Sequence, residues 1–265
     1  MPLLRTSSVR PAARPTDRPP NGPAPADAGL LELTDVWFDH DGVDALRGVS
    51  LSIQPGAVTA IAGPNGSGKS TVLAVLAGLL VPRRGTVSLP LRRRRALVAQ
   101  RSEVSDRMPL TVRDVVTMGR WADAGLMRRL RADDRRIIGE CIDLVGLGDH
   151  QDRSLSTLSG GQRQRALLAQ GLARRADIVL LDEPTTGLDD VTRAVVADVL
   201  RAEQGRGATV VCVSHDDVAL AAADHVIRLD AGRTAPGADA EGGAVAPPSS
   251  STFRPVAPDP RPGPR

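Results

Sequence analysis

The sequence of 265 residues predicts an α/β fold whose core is a mostly parallel sheet. Continuous apolar runs occur at residues 57–62, 178–181 and 209–213, and residues 96–99 form a shorter run of the same kind. Segments with helical spacing of apolar residues separate these runs. Strands that are apolar throughout and alternate with helices are typical of parallel sheets that helices cover on both faces.

Two regions differ from this core pattern. Residues 30–54 alternate apolar and polar side chains, which predicts a small antiparallel β subdomain. Residues 101–158 combine helical patterns with many charges, which predicts a helical subdomain inserted between sheet elements. The folded domain is predicted at residues 29–233. The segments on either side, residues 1–28 and 234–265, are rich in proline and have the composition of disordered tails.

The composition disfavours several classes of protein. The net charge is only +3, aromatic residues make up 2% and tyrosine is absent, so we expect no nucleic-acid partner. The two cysteines, Cys141 and Cys212, are far apart and fit a reducing compartment, with Cys212 an inert thiol in a buried strand. No apolar run approaches the roughly 18 residues that a membrane-spanning helix needs. Work at a membrane would therefore require a second polypeptide that spans it.

Lys69 is the only lysine in a chain that otherwise uses arginine for every basic residue. It is the lysine of a pattern made of glycine, four residues and then Gly-Lys-Ser, which is typical of a phosphate-binding loop. A slim ammonium reaches between phosphates inside a tight backbone cradle, where a planar guanidinium is too broad. The predicted nucleotide-binding residues of this loop are Gly63, Pro64, Asn65, Gly66, Ser67, Gly68, Lys69, Ser70 and Thr71.

The loop follows a predicted strand and opens a predicted helix, as phosphate binding by a helix N-terminus requires. Apolar residues at Val72, Val75, Leu76, Leu79 and Leu80 give that helix its buried face. The hydroxyl of the loop's serine is predicted to bind Mg²⁺.

Two carboxylates follow the apolar run at residues 178–181. Ligands gather at the carboxyl ends of strands in open α/β sheets. Asp182 is therefore predicted to hold Mg²⁺, directly or through water. Glu183 is predicted to polarise the attacking water as a general base, a role usually worth about 10²–10⁴ in rate.

A third motif combines Ser159, Gly160, Gly161 and Gln162. Ser159 and Gln162 have the spacing of a capping box at the start of a helix. Two glycines in a first helical turn cost roughly 1 kcal/mol each relative to alanine. They are reasonable if the bare helix N-terminus must approach a phosphate closely.

These three motifs, with residues 159–162 lying between the phosphate loop and the two carboxylates in the sequence, resemble the ATP-binding cassette (ABC) ATPases over about residues 30–232. The resemblance implies a P-loop NTPase fold of the ABC type. It implies that Gln100 is the Q-loop glutamine, a catalytic residue that also binds Mg²⁺, and that His215 is the catalytic switch histidine. Residues 187–189 match the D-loop. The family usually stacks a tyrosine on adenine where this chain has His40, for which a plain surface histidine is the alternative.

The resemblance also implies a mechanism and partners. Two such chains pair head to tail, so that ATP and Mg²⁺ lie between the phosphate loop of one copy and residues 159–162 of the other. Hydrolysis powers a separate membrane permease, with an extracytoplasmic solute-binding protein expected as a further partner. The chain would be peripheral, at the cytoplasmic face of the membrane.

Residues 109–121 and 125–129 look like the metal-uptake branch of the family. Ten residues separate Gln100 from Thr111, which looks like the zinc/manganese type, with zinc the first expectation. The segment is alternatively a generic amphipathic lid. Four scattered histidines and two cysteines do not make a zinc site in the chain itself. The alternatives for the whole chain are an iron-siderophore or cobalamin importer ATPase and a soluble ABC ATPase outside transport.

Overall fold

The computed structural model describes five stretches of the chain, apart from the side chains of residues 122–124. These stretches are residues 31–90, 93–99, 109–124, 129–185 and 189–235. Several sequence predictions therefore lie outside the described residues, namely Gln100, the D-loop residues 187–188, residues 101–108 and 125–128, the segment 1–28 and all but the first two residues of 234–265.

The described chain alternates strands and helices in the predicted manner. Its strands are β1 (Leu31–His40), β2 (Val43–Ile53), β3 (Val58–Ala62), β4 (Arg84–Ser88), β5 (Arg95–Val98), β6 (Ile178–Asp182), β7 (Thr209–Val213), β8 (His225–Asp230) and β9 (Arg233–Thr234). Its α-helices are α1 (Lys69–Ala77), α2 (Val112–Ala124), α3 (Ala132–Leu144), α4 (Gly160–Ala173), α5 (Asp190–Gly205) and α6 (Asp217–Ala221). Two short 3-10 turns are Gly148–His150 and Leu155–Thr157.

The central sheet has the order β5-β6-β7-β3-β8-β9. The first five strands of this order run parallel, and β9 pairs antiparallel with β8. All four predicted core strands are confirmed, with β5 beginning one residue early at Arg95. β8 and β9 were not predicted, because β8 alternates buried and exposed residues and β9 is two residues long. β9 carries the sheet to Thr234, one residue past the predicted end of the domain.

Helices cover both faces of this sheet. Within β6, Val179 and Leu181 face one apolar cluster with α2 to α5, while Ile178 and Leu180 face another with α1 and the antiparallel sheet. Each fully buried leucine of this kind contributes roughly 1.5–3 kcal/mol of transfer free energy. Cys212 lies in the core as predicted, where burial raises the pKa of its thiol to about 12.

The predicted antiparallel sheet is present and has a third strand. Its order is β2-β1-β4, with β1 antiparallel to both neighbours. β4 was not predicted, because Val87 is its only apolar side chain and most of the strand is exposed.

The helical subdomain consists of α2 and α3, and α4 packs against both. A bridge between Thr111 and Ser154 closes its base. Arg120 of α2 is buried, where its Nε donates to Asp134 of α3 at 3.0 Å and its guanidinium also donates to the carbonyl of Ala173 at 2.8 Å. One guanidinium thus joins all three helices.

The predicted extent of the first helix is wrong. α1 ends at Ala77, and Gly78 adopts φ 77 as the C-cap. The N–H groups of Gly78 and Leu79 then bond to Val75 and Ala74 in a left-handed helix ending. Leu79 is left 67% exposed instead of extending the apolar face.

Candidate nucleotide-binding site

The predicted phosphate loop lies between the end of β3 and the start of α1. Lys69 is 4% exposed, and its Nζ donates to the carbonyls of Gly63 and Pro64, each at 2.9 Å. Pro64, Asn65 and Gly66 are exposed at the tip of the loop. The ammonium is therefore held over the loop by backbone carbonyls.

Two glycines let this loop pass between neighbouring strands. A Cβ on Gly63 would lie 2.1 Å from the carbonyl oxygen of Leu229 in β8. A Cβ on Gly68 would lie 2.6 Å from the carbonyl oxygen of Ala45 in β2, and Gly68 also has φ 97. A side chain at either position would clash with a backbone carbonyl of a neighbouring strand. The fold therefore requires glycine at both positions.

The first turn of α1 presents free backbone donors. Within the described residues, no backbone carbonyl accepts a bond from the N–H of Lys69, Ser70 or Thr71, and the N-cap Gly68 offers no side chain. The hydroxyl of Ser67 is also buried without a partner in the described part of the chain. Unpaired donors at a helix N-terminus form an anion site, so this cradle fits the phosphates of ATP.

Ser70 and Asp182 meet beside this cradle. Ser70 Oγ donates to Asp182 Oδ1 across 3.1 Å, which joins α1 to the end of β6. Burial raises the pKa of Asp182 above its ordinary value, and the charge of Glu183 adds to the rise, while the Ser70 bond and Lys69 oppose it. Hydroxyl and carboxylate oxygens are the ligands that Mg²⁺ prefers. The carboxylate of Asp182, whose charged form is destabilised by burial, lies beside a hydroxyl and therefore suits the binding of Mg²⁺.

Glu183 has an unusual backbone. Its φ is 46, in the left-handed region, and its N–H donates to the carbonyl of Val213 at 2.9 Å. Non-glycine residues held there carry strain that often accompanies function. The conformation turns the chain out of β6 immediately after Asp182.

His215 follows β7, which lies between β6 and β3 in the sheet. The side chain is exposed. Lys69, Glu183 and His215 thus follow three adjacent strands at one edge of the sheet. This is the arrangement that the sequence predicts, and their individual roles stay predictions.

His40 ends β1 near the same helix. Its Nε2 is 3.3 Å from Thr71 Oγ1, and its ring meets Phe38 edge-on at 4.9 Å between centroids. His40 is exposed beside the phosphate-binding helix, and its stacking on adenine stays a prediction.

The third motif forms the predicted capping box. The N–H of Gln162 donates to Ser159 Oγ at 3.2 Å, and the N–H of Ser159 donates to Gln162 Oε1 at 3.0 Å. Ser159 and Gly160 are exposed, and a Cβ on Gly160 would meet nothing within 4 Å. Among the described residues, no hydrogen bond or ion pair joins residues 159–162 to the phosphate loop.

Comparison with known proteins decides the family. Residues 46–186, more than half of the chain, match the ABC transporter family. The chain belongs to the ABC transporter family. The resemblance stated from the three motifs is confirmed, and so is the cassette fold. Because the ATP-binding cassettes of this family hydrolyse ATP, the chain is an ATPase.

Known relatives are similar to this ABC cassette over most of its length. A manganese transport system ATP-binding protein of Synechocystis is 37% identical, covering 77% of this chain and 84% of the relative. A zinc transport system ATP-binding protein of Treponema pallidum is 39% identical, covering 72% and 74%. A bacterial ABC transporter cassette solved as a dimer is 28% identical, with a TM-score of 0.67, covering 77% and 96%. The resemblance to the zinc/manganese branch agrees with these relatives.

Two further residues of the ABC cassette adjoin its motifs. Asp189, the D-loop residue that the structure describes, caps α5 by accepting from the N–H of Thr192 at 2.9 Å. His150 Nε2 lies 3.2 Å from Gln162 Nε2, and no sequence pattern predicts this contact. Across the described residues, no helix combines the length and apolar character needed to cross a membrane.

Proposed function

We propose that this chain is the ATP-hydrolysing subunit of an ABC importer for zinc or manganese. The main support for this proposal is the arrangement at the carboxyl ends of β3 and β6. There Lys69, Ser70, Asp182 and Glu183 supply a phosphate cradle, an oxygen pair and a base together. The names of the relatives, which are manganese and zinc transport ATP-binding proteins, support the cargo.

The residues divide the chemistry among them. The loop and Lys69 bind the phosphates of ATP, and Ser70 and Asp182 would hold Mg²⁺, with Gln100 as a further ligand. Mg²⁺ supplies charge neutralisation at the transferred phosphate when it is bound. Glu183 orients the attacking water and accepts its proton. His215, which follows the neighbouring strand β7, contacts the phosphate that leaves.

A second copy completes the site. The exposed helix start at residues 159–162 makes no described contact with its own phosphate loop, and Gly160 has open space around it. Two half-sites of this kind favour a closed dimer with twofold symmetry. Ser159, Gly160, Gly161 and Gln162 would therefore bind the γ-phosphate of ATP held by the other copy. The relative solved as a dimer supports this pairing.

The permease is proposed to dock in a groove between the helical subdomain and the sheet. This groove encloses about 300 Å³ and is lined by Leu97, Val98, Met118, Leu167 and Arg174, among others. Its wall also includes Ala99, directly before Gln100. Apolar lining with an exposed arginine suits an amphipathic helix that carries an acidic residue. Arg174→Glu should reduce the amount of chain recovered with the membrane fraction while ATP binding is retained.

Cellular metal content tests the cargo. We expect that deleting the gene in the source organism lowers cellular zinc or manganese when that metal is scarce. Wild-type chain should restore the metal, and Lys69→Ala should not. Unchanged zinc and manganese would reject the proposed cargo, and a loss of iron or cobalamin instead would identify the chelate importer. Growth in replete medium controls for effects unrelated to uptake.

A further inference from the structure

The first turn of α4 fixes the orientation of the Gln162 amide. The N–H of Ser159 needs an acceptor, and it bonds to the Gln162 side chain at 3.0 Å. An amide nitrogen has no lone pair available to accept, so the oxygen must face Ser159. Gln162 Nε2 therefore points away from Ser159 as a donor.

His150 lies where that donor points. Its Nε2 is 3.2 Å from Gln162 Nε2. Because the amide nitrogen only donates, His150 Nε2 must accept, which requires a neutral imidazole with its proton on Nδ1. The capping box thus dictates the protonation state of a residue outside the motif.

The turn that carries His150 is firmly placed. The N–H of His150 donates to the carbonyl of Leu147 at 2.9 Å, and its carbonyl accepts from Arg153 at 3.0 Å. The N–H of Arg113 in α2 donates to the carbonyl of Gln151 at 2.9 Å. Backbone bonds on both sides therefore hold the main chain from which the imidazole reaches Gln162.

Charged groups surround this turn. Asp149 lies within the turn, and Asp152 follows the turn by two residues. A carboxylate oxygen of Asp143 in α3 would lie 3.0 Å from a Cβ on Gly148. Arg165 of α4 donates to the carbonyl of Val145 at 2.9 Å. Arg113 of α2 pairs with Asp152 at 3.7 Å. Among the described residues, the hydrogen-bond partner of the His150 ring is the uncharged Gln162.

We propose that His150 is a positioning residue that holds the start of α4 in its ATP-binding geometry only while the imidazole is neutral. This inference rests on the proposed function, because it requires residues 159–162 to face nucleotide on a second copy. Protonation of this ring, which touches no substrate, would then slow ATP hydrolysis by this chain.

The physical cause is a clash of donors. A proton on His150 Nε2 would set two N–H groups against each other across 3.2 Å. The Gln162 side chain must then swing away, and the N–H of Ser159 loses its acceptor. Histidine is the side chain that normally gains a proton between pH 5 and 8. Protonation of the His150 ring would therefore disturb the exposed helix start at residues 159–162.

Two variants of the full-length chain test the proposal, with ATPase rates measured from pH 5.5 to 8.0. His150→Gln offers a carbonyl acceptor that does not titrate, so it should match wild type at pH 8 and resist acidification. His150→Phe keeps the ring without an acceptor. It should lower kcat by about five- to tenfold at pH 8, the size expected for one lost hydrogen bond. ATP affinity of the separate subunit should stay unchanged, because the phosphate loop is remote.

An acid limb in His150→Gln that matches wild type would overturn the proposal. So would a kcat for His150→Phe within twofold of wild type at pH 8. If His150→Phe does not fold, the acid limb of His150→Gln decides alone. ATP binding by the wild-type chain, and its loss in Lys69→Ala, would persist if only this inference failed. Their absence would instead mark failure of the proposed function.

Discussion

Ser70 and Asp182 join the phosphate-binding helix α1 to the end of strand β6, with Ser70 Oγ donating to Asp182 Oδ1 across 3.1 Å. The bond brings a hydroxyl from one motif to a carboxylate from another, 112 positions along the chain. It brings together two oxygens, from two separate sequence motifs, that are the proposed ligands of Mg²⁺.

Asp182→Asn is expected to stabilise the nucleotide-free chain and strongly reduce its ATP hydrolysis. Burial raises the pKa of Asp182, so folding penalises the carboxylate at neutral pH, and the penalty fades as pH falls through the raised value. Asparagine keeps an acceptor for Ser70 without the charge. The Tm should exceed that of wild type at pH 7–8, with a gap that narrows on acidification. ATP hydrolysis should fall by about 10²–10³-fold, as for one lost transition-state contact.

The exposed Asp152→Asn is the matched control for that experiment, because its side chain is 82% exposed. It should change neither Tm nor turnover. A lower Tm for Asp182→Asn at neutral pH would contradict the assigned penalty.

Gly68→Ala should destabilise the fold far more than Gly66→Ala. Both glycines have positive φ, 97 and 79, where a side chain costs about 1–2 kcal/mol. At Gly68 the new Cβ would also lie 2.6 Å from the carbonyl oxygen of Ala45, whereas at Gly66 it meets nothing within 4 Å. Urea unfolding of both variants measures the difference. Equal losses of unfolding free energy would show that the clash with β2 is not the constraint.

Much of the fold was predictable because its core strands are apolar throughout. β6 and β7 are buried along almost their whole length, and the sequence marks them without ambiguity. β4 was missed because its side chains are mostly exposed and its place depends on pairing with β1. α1 was predicted too long because the apolar spacing continues past Gly78, although a glycine at that point ends the helix.

The motifs predict which residues form the candidate site, and the roles of those residues stay predictions. The motifs do not predict the detailed geometry. No sequence pattern gives the left-handed backbone of Glu183, which depends on a bond to the neighbouring β7. The His150–Gln162 contact depends on how a short turn packs against α4, which local sequence does not encode.

Arg120→Ala should cost about 3–5 kcal/mol of unfolding free energy, because it leaves Asp134 charged and buried in the helical subdomain. The backbone N–H of Arg131 lowers the pKa of Asp134, burial opposes this, and the Arg120 bond adds to the lowering. The stability linked to this carboxylate is complete above the usual pKa of aspartate and is lost as pH falls through the lowered value. Denaturation at pH 7 therefore measures the full effect.

Arg136→Ala is the control for the buried pair. Arg136 makes exposed ion pairs with Asp133 and Glu140 on the surface of α3. Such pairs contribute about 0–1 kcal/mol, so its removal should scarcely change stability. Equal losses of unfolding free energy in the two arginine variants would show that burial does not make the Arg120–Asp134 pair more stabilising than an exposed pair.

Glu183→Gln should bind ATP without hydrolysing it and accumulate as a dimer. Loss of a general base lowers the rate by about 10²–10⁴-fold, while the amide keeps the size of the carboxylate. Light scattering with and without ATP measures the dimer. The double variant with Lys69→Ala should remain monomeric. Turnover near the wild-type rate would remove Glu183 from the proposed chemistry.

Mixing two inactive variants tests most directly whether one ATP site is built from two chains. Lys69→Ala removes the phosphate-loop half. Gly160→Asp sets a negative charge against the partner's phosphate, at a position where a side chain has room. Each variant alone should be inactive, and an equal mixture should recover roughly a quarter of wild-type turnover, because half of the dimers pair both variants and each of those keeps one intact site. A mixture as inactive as its parents would contradict the shared site.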